Sequence, residues 1–218
     1  MFKLTFDTPE RVPIRQILCL GAHSDDIEIG CGGTLLKLMS LYPELEIYWV
    51  VLGASGQREQ EACNSAYGLL EGAKQKKVVV KGFRDGFFPY IGMEIKEYFE
   101  ELKRLVSPDL ILTHYRHDRH QDHRLVSDLT WNTFRDHLIL EYEIAKYDGD
   151  LGNPNVFFHL SESICRRKIA HLFEHFATQF NREWFTEDTF LSLLRLRGIE
   201  SNAPDRYAEA FYCRKMIL

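Results

Sequence analysis

The sequence predicts an α/β fold, a three-layer sandwich with helices on both faces of a mostly parallel central sheet and the functional site at the C-terminal edge of its strands. Three observations lead there. Short apolar runs alternate with amphipathic stretches at the spacing of βαβ units. The runs are near-continuous in Val, Ile and Leu, as in Val78-Val79-Val80, which suits strands covered on both faces. Histidines and aspartates cluster just after those runs, where open α/β sheets bind their ligands.

Taken in order, the apolar runs at 16–22, 45–53, 77–82 and 110–114 read as strands, with helices between them at about 33–41, 57–73, 92–106 and 122–137. The second half is less regular. Segments 141–146 and 156–160 read as further strands around a turn-rich 148–155, then 162–180 as a long amphipathic helix, 187–197 as another, and 207–217 as a closing strand. No internal repeat, low-complexity segment or Gly/Ser/Pro linker interrupts the chain, so residues 1–218 are expected to form one domain.

Composition narrows the class. Of 218 residues, 45% are hydrophobic and 27% charged, which fits a folded globular chain and excludes disorder. The net charge of −5, with both signs interspersed, gives no basic stripe for nucleic acid or an anionic membrane. The five cysteines are scattered, odd in number and never in a CxxC pair, so they read as reduced thiols. MFKLTFDTPERVP lacks the basic and apolar regions of a signal peptide, and no apolar run approaches the ~18 residues of a membrane span. A cytoplasmic protein is expected.

The stretch GAHSDDIEIGCGG, residues 21–33, carries the first chemical signal. Two aspartates and a histidine at the end of a buried strand are costly unless paired, hydrogen-bonded or bound to a metal. The second is THYRHDRHQDHRLV, residues 113–126, with four histidines. On the predicted topology His23, Asp25 and Asp26 follow the first strand, Asp85 the third, and His114, His117, His120, Asp122 and His123 the fourth. Imidazole and carboxylate are zinc-type ligands, and a catalytic zinc takes about three protein ligands and keeps a position for water. A carboxylate outside the ligand set can then take the water's proton.

AHSDD followed by IEIGCGG, with a distant HQDH, resembles the PIG-L/LmbE-like zinc-dependent N-deacetylases, which process N-acetylglucosaminyl lipids, mycothiol and bacillithiol precursors and other N-acetylated sugars. The usual opening of that family is AHPDD; here Ser24 stands in place of the proline. The likeness extends to the Arg58-x-x-Glu61-Ala62 helix start, FRDG at 83–86, SPDLILTH at 107–114 and YAEAF at 207–211. It implies a Rossmann-like sandwich, zinc (or another divalent metal) held by His23, Asp26 and His123, and Asp25 as the general base. It further implies that His120 stabilises the oxyanion and that Asp122, next to the ligand, orients or charges it. The activity implied is hydrolysis of an N-acetylated amino sugar or conjugate, with a nucleotide or lipid carrier left open. The alternatives are an amidohydrolase for a non-sugar acyl amide and a catalytically silent relative that binds a sugar or partner protein.

Other features divide between structural and functional readings. Gly30-Cys31-Gly32-Gly33 lacks the GxGxxG spacing of a dinucleotide loop and is expected to let the chain turn tightly and bring the next helix close to the metal loop. Arg58 either pairs with Glu61 or reaches over the site to substrate. Asp85 either forms an Asp-Gly turn or contacts the sugar, with Phe87, Phe88 and Tyr90 as a stacking wall. His171 and His175, four apart, are expected to be a helix-face pair, and His114 and His117 have no assigned role. Trp184, Arg195, Arg197 and Glu209 are candidates for substrate selection. Aromatics at 83–90 and 180–190 leave a homo-oligomer open.

Overall fold

Along Ile17-Leu18-Cys19-Leu20 successive side chains are fully buried on alternate faces, the period-two pattern of a strand inside a sandwich. The computed structural model describes residues 14–217; the N-terminal segment read above for a leader lies outside them. The strands are β1 (Gln16–His23), β2 (Glu46–Gly53), β3 (Gln75–Val80), β4 (Leu110–His114), β5 (Leu138–Tyr142), β6 (Val156–Leu160) and β7 (Tyr207–Cys213). They form one seven-stranded sheet in the order β3-β2-β1-β4-β5-β7-β6. The first five are parallel, and β7 runs antiparallel to both β5 and β6. The chain reverses its direction of travel across the sheet at β1, with β2 on one side and β4 on the other. That is where such sheets open a crevice beyond their strand ends.

The helices are α1 (Asp26–Leu41), α2 (Gln57–Leu69), α3 (Gly92–Leu105), α4 (Gln121–Thr133), α5 (Glu162–His175) and α6 (Glu187–Glu200). Ile17, Cys19, Trp49 and Val51 pack with residues of α1, α2 and α5 on one face. Leu18, Leu20, Val50 and Leu52 pack with Phe88, Phe99, Leu102 and Val126 on the other. The three-layer α/β prediction holds. Among the described residues no helix is long and apolar enough to cross a membrane.

Several boundaries differ from expectation. The first helix begins at Asp26, not near residue 33, because the glycines lie inside it. A Cβ on Gly30 would lie 2.2 Å from the Tyr142 ring, and one on Gly33 would lie 2.6 Å from Leu160 and 3.0 Å from Glu209. Close packing against β5, β6 and β7 therefore outweighs the poor helix propensity of glycine. The fourth helix stops at Thr133, and β5 starts at Leu138, ahead of the expected 141–146, because Leu138, Ile139 and Leu140 pair in register with β4. The expected helix 162–180 ends at His175, where Phe176 turns into the core.

Glu209 and Arg197 are core residues here, which corrects their reading as substrate selectors. Glu209 accepts from the Gly33 and Thr34 amides of α1 at 2.8 and 2.6 Å and from Lys168 at 2.6 Å. Arg197 forks onto Glu143 at 2.9 and 2.8 Å, and Tyr212 donates to the same carboxylate. Both pairs are buried and hydrogen-bonded on each side, the condition under which buried charge is tolerated.

Candidate metal centre and active site

The loop leaving β1 carries the first half of the site, and the β4–α4 loop brings the second half alongside it. His23, Asp26 and His123 are 6%, 3% and 2% exposed, which leaves little water to satisfy them. His23 Nδ1 lies 3.2 Å from His123 Nε2 and 3.5 Å from an Asp26 oxygen; His123 Nε2 lies 3.5 Å from the other Asp26 oxygen. Ligand atoms on a tetrahedral zinc with bonds of about 2.0–2.1 Å are about 3.3–3.4 Å apart. The spacing fits.

Hydrogen bonding around the three residues shows where their protons go. His123 Nδ1 donates to Asp118 at 2.9 Å, so its Nε2 presents a lone pair. His23 Nε2 donates to the carboxylates of Asp122 and Asp85, at 3.1 and 3.0 Å. Burial, with His114 close by, pushes His123 down to about 4 and keeps its ring neutral. Burial also disfavours a charged His23, but hydrogen bonds with Asp122, Asp26 and Asp85 outweigh it and hold its pKa well above the ordinary value. Burial works against ionised Asp26 too, and the His123 and His114 rings outweigh it. Two imidazole nitrogens and a carboxylate thus lie within 3.5 Å of one another, and a cation bound there would displace the ring proton that the carboxylates favour on His23. The residues fit a divalent cation, and His23, Asp26 and His123 are the ones that could hold it.

Asp25 stands one residue outside that set, at the N-terminus of α1. Burial, then the charge of Asp26, push its carboxyl up to about 6, against the opposing pull of Arg58, whose Nη2 lies 3.7 Å away. Such a group can take and return a proton near neutral pH. His120 receives the Asp122 amide proton at Nδ1, 3.3 Å, which leaves Nε2 as the donor of the neutral ring. Burial lowers its pKa, with His23 adding to the effect, so the neutral donor form is favoured. The Asp122 carboxylate hydrogen-bonds His23, and it acts on the His120 ring through its charge. It also accepts from the amides of Gly86 at 2.6 Å and Phe88 at 3.1 Å, pinning the β3–α3 loop onto the centre.

Arg58 does not pair with Glu61. Its Nη1 donates to Asp85 at 2.7 Å and its Nε to Ser24 at 3.1 Å, while Glu61 accepts from the Thr178 amide at 3.0 Å. Asp85 is half-exposed beside them, its carboxyl held well below the usual range by the His23 hydrogen bond. Phe87 and Tyr90 are exposed on the same loop, whereas Phe88 is core. His114 is fully buried and accepts the Ala22 amide proton at 2.9 Å; His117 is exposed against Tyr115. His171 and His175 stack at 4.1 Å, with His171 Nε2 on Ser65, and no third ligand joins them among the described residues. Residue-level reading missed the role of Asp118, although it stands in the quoted cluster. A ligand histidine needs an acceptor on its other nitrogen, and the carboxylate five residues before His123 was the available signal. Lys146, 3.0 Å from Asp118, had no local signal at all. Asp118→Asn should weaken metal binding by about 10- to 100-fold, read by competition with a chelating dye. Unchanged affinity would show that the His123 ring is oriented without it.

The chain matches the PIG-L family model, described as GlcNAc-PI de-N-acetylase, over residues 18–134. That is more than half of its length, and the protein belongs to this family. Its structure is similar to N,N'-diacetylchitobiose deacetylase from Pyrococcus horikoshii, with a TM-score of 0.68 and 20% identity over 92% of this chain and 84% of that one. It is similar also to the A40926 pseudoaglycone deacetylase (TM-score 0.65, 18% identity, covering 90% and 96%). A third likeness is to the 4-carboxy-2-hydroxymuconate hydratase of Pseudomonas putida KT2440 (TM-score 0.72, 17% identity, covering 94% and 98%). At these identities the likenesses establish the fold, which is shared by enzymes of different activity.

Proposed function

We propose that this chain is a zinc-dependent N-deacetylase, acting as one catalytic domain on the acetyl amide of an N-acetylated amino sugar or sugar conjugate. One observation carries the reading: side-chain donors of His23, Asp26 and His123 lie within 3.5 Å of one another, while the adjacent Asp25 keeps its carboxylate outside them. Family membership and the two deacetylases of the same fold support an acetyl amide as the substrate.

A divalent cation at this site supplies Lewis acidity toward the acetyl carbonyl and brings bound water within reach of deprotonation near neutral pH. Asp25 takes the proton of the attacking water as the new C–O bond forms. His120 directs its Nε2–H at the carbonyl oxygen on which negative charge develops, a role worth most where water is excluded. The C–N bond then breaks, and the proton held by Asp25 passes to the departing amine. The products are acetate and a free amino sugar. Arg58 and Asp85, on the open side of the centre, hold substrate hydroxyls.

The test is acetate release by zinc-loaded protein from N-acetylglucosamine presented free, nucleotide-linked and lipid-linked. Equal yields of acetate and primary amine are expected from at least one form. Hydrolysis of non-sugar acyl amides alone would overturn the sugar reading.

A further inference from the structure

The position at which this chain departs from the family's opening motif is occupied by a working side chain. Ser24 is fully buried between the candidate ligand His23 and Asp25. Its hydroxyl oxygen accepts the Nε–H of Arg58, 34 residues away on the first turn of α2. With Nη1 on Asp85, two edges of the guanidinium are fixed, and Nη2 is left facing Asp25. Proline at position 24 would offer no side-chain acceptor, and Arg58 would keep one hydrogen bond, to Asp85, a half-exposed residue on a different loop, beside its longer contact with Asp25.

We propose that Ser24 is a positioning residue that sets the guanidinium of Arg58 against the active-site cleft before substrate arrives. Arginine has many rotamers, and freezing one such side chain on binding costs affinity; a tether formed in the free protein removes that cost from the binding step. Ser24 touches neither the reacting carbonyl nor the leaving amine. Its effect belongs in substrate affinity, and it rests on the proposed function only through the substrate used to read it.

Two measurements test this, one independent of activity. Ser24→Ala removes the acceptor and leaves Arg58 Nε, on a side chain 29% exposed, able to turn to water, so the fold is retained. In the first measurement, phenylglyoxal labels arginines of wild type and variant, and mass spectrometry compares Arg58 with the exposed Arg166 in the same digest. The Arg58-to-Arg166 ratio is expected to rise severalfold in Ser24→Ala; an unchanged ratio overturns the proposal. In the second, KM for the acetylated sugar is expected to rise roughly 2- to 12-fold with kcat unchanged. That rise should vanish when Ser24→Ala is made on top of Arg58→Ala. An effect on kcat alone, or one that persists without Arg58, also overturns it. If wild type releases no acetate from any sugar, the deacetylase reading fails while the labelling ratio still decides the role of Ser24.

Discussion

Asp25→Asn should retain its full complement of metal and lose about 10²- to 10⁴-fold in kcat, the range typical of a positioned general base. The two halves of this result have separate origins. Asparagine keeps the size of aspartate and can still begin α1, and residue 25 is absent from the converging donors of His23, Asp26 and His123. What disappears is the ability to accept a proton from water. Metal content by elemental analysis and acetate release together check the claim. Near-wild-type turnover would remove Asp25 from its role, whereas loss of metal together with turnover would make it a ligand.

Stripping the metal with a chelator should abolish turnover reversibly and lower the melting temperature. The centre gathers Asp25, Asp26, Asp118 and Asp122 at 4% exposure or less, and Arg58 beside Asp25 and Lys146 beside Asp118 offset their mutual repulsion only in part, so a bound cation adds stability. A ligand that binds only the folded state at about 100 times its dissociation constant adds about 2.7 kcal/mol. For a chain of this size that is about 5–10 °C. His123→Ala removes one of three donors, so its melting temperature should no longer respond to added zinc, and acetate release should be undetectable. A variant that still shows the full zinc-dependent shift would place the ion elsewhere, with His23, Asp85, His120 and Asp122, the group without His123, as the one to test.

Most of the sheet was legible in the sequence because parallel strands buried on both faces must be continuous apolar runs, and β1, β2 and β4 are. Strand β3, at the sheet edge, is apolar only along Val78-Val79-Val80 and is half-buried there, not covered on both faces as expected. The boundaries that moved did so for contacts between distant segments. The glycines of α1 read as a turn on local propensity, but they are helical because Tyr142, Leu160 and Glu209 press against them from β5, β6 and β7. The segment 138–142 joins the sheet because it matches the register of β4, a relation invisible within its own sequence.

The candidate site divides along the same line. Residue type and spacing were enough to gather His23, Asp25, Asp26, Asp85, His114, His117, His120, Asp122 and His123 at one sheet edge, since carboxylates and imidazoles at buried strand ends are stable only when paired, hydrogen-bonded or bound to a cation. The family resemblance then assigned roles among them. Their partners were not readable. Asp122 bears on His23 across 99 positions, and Ser24 binds Arg58 across 34. Lys146 stands on a loop that nothing in its own stretch ties to Asp118. The chemistry a side chain can perform is a local property, written in its identity. Which nitrogen bears the proton, which carboxylate faces it and which arginine is held still depend on how strands separated in the chain are set side by side, and only the assembled sheet supplies that.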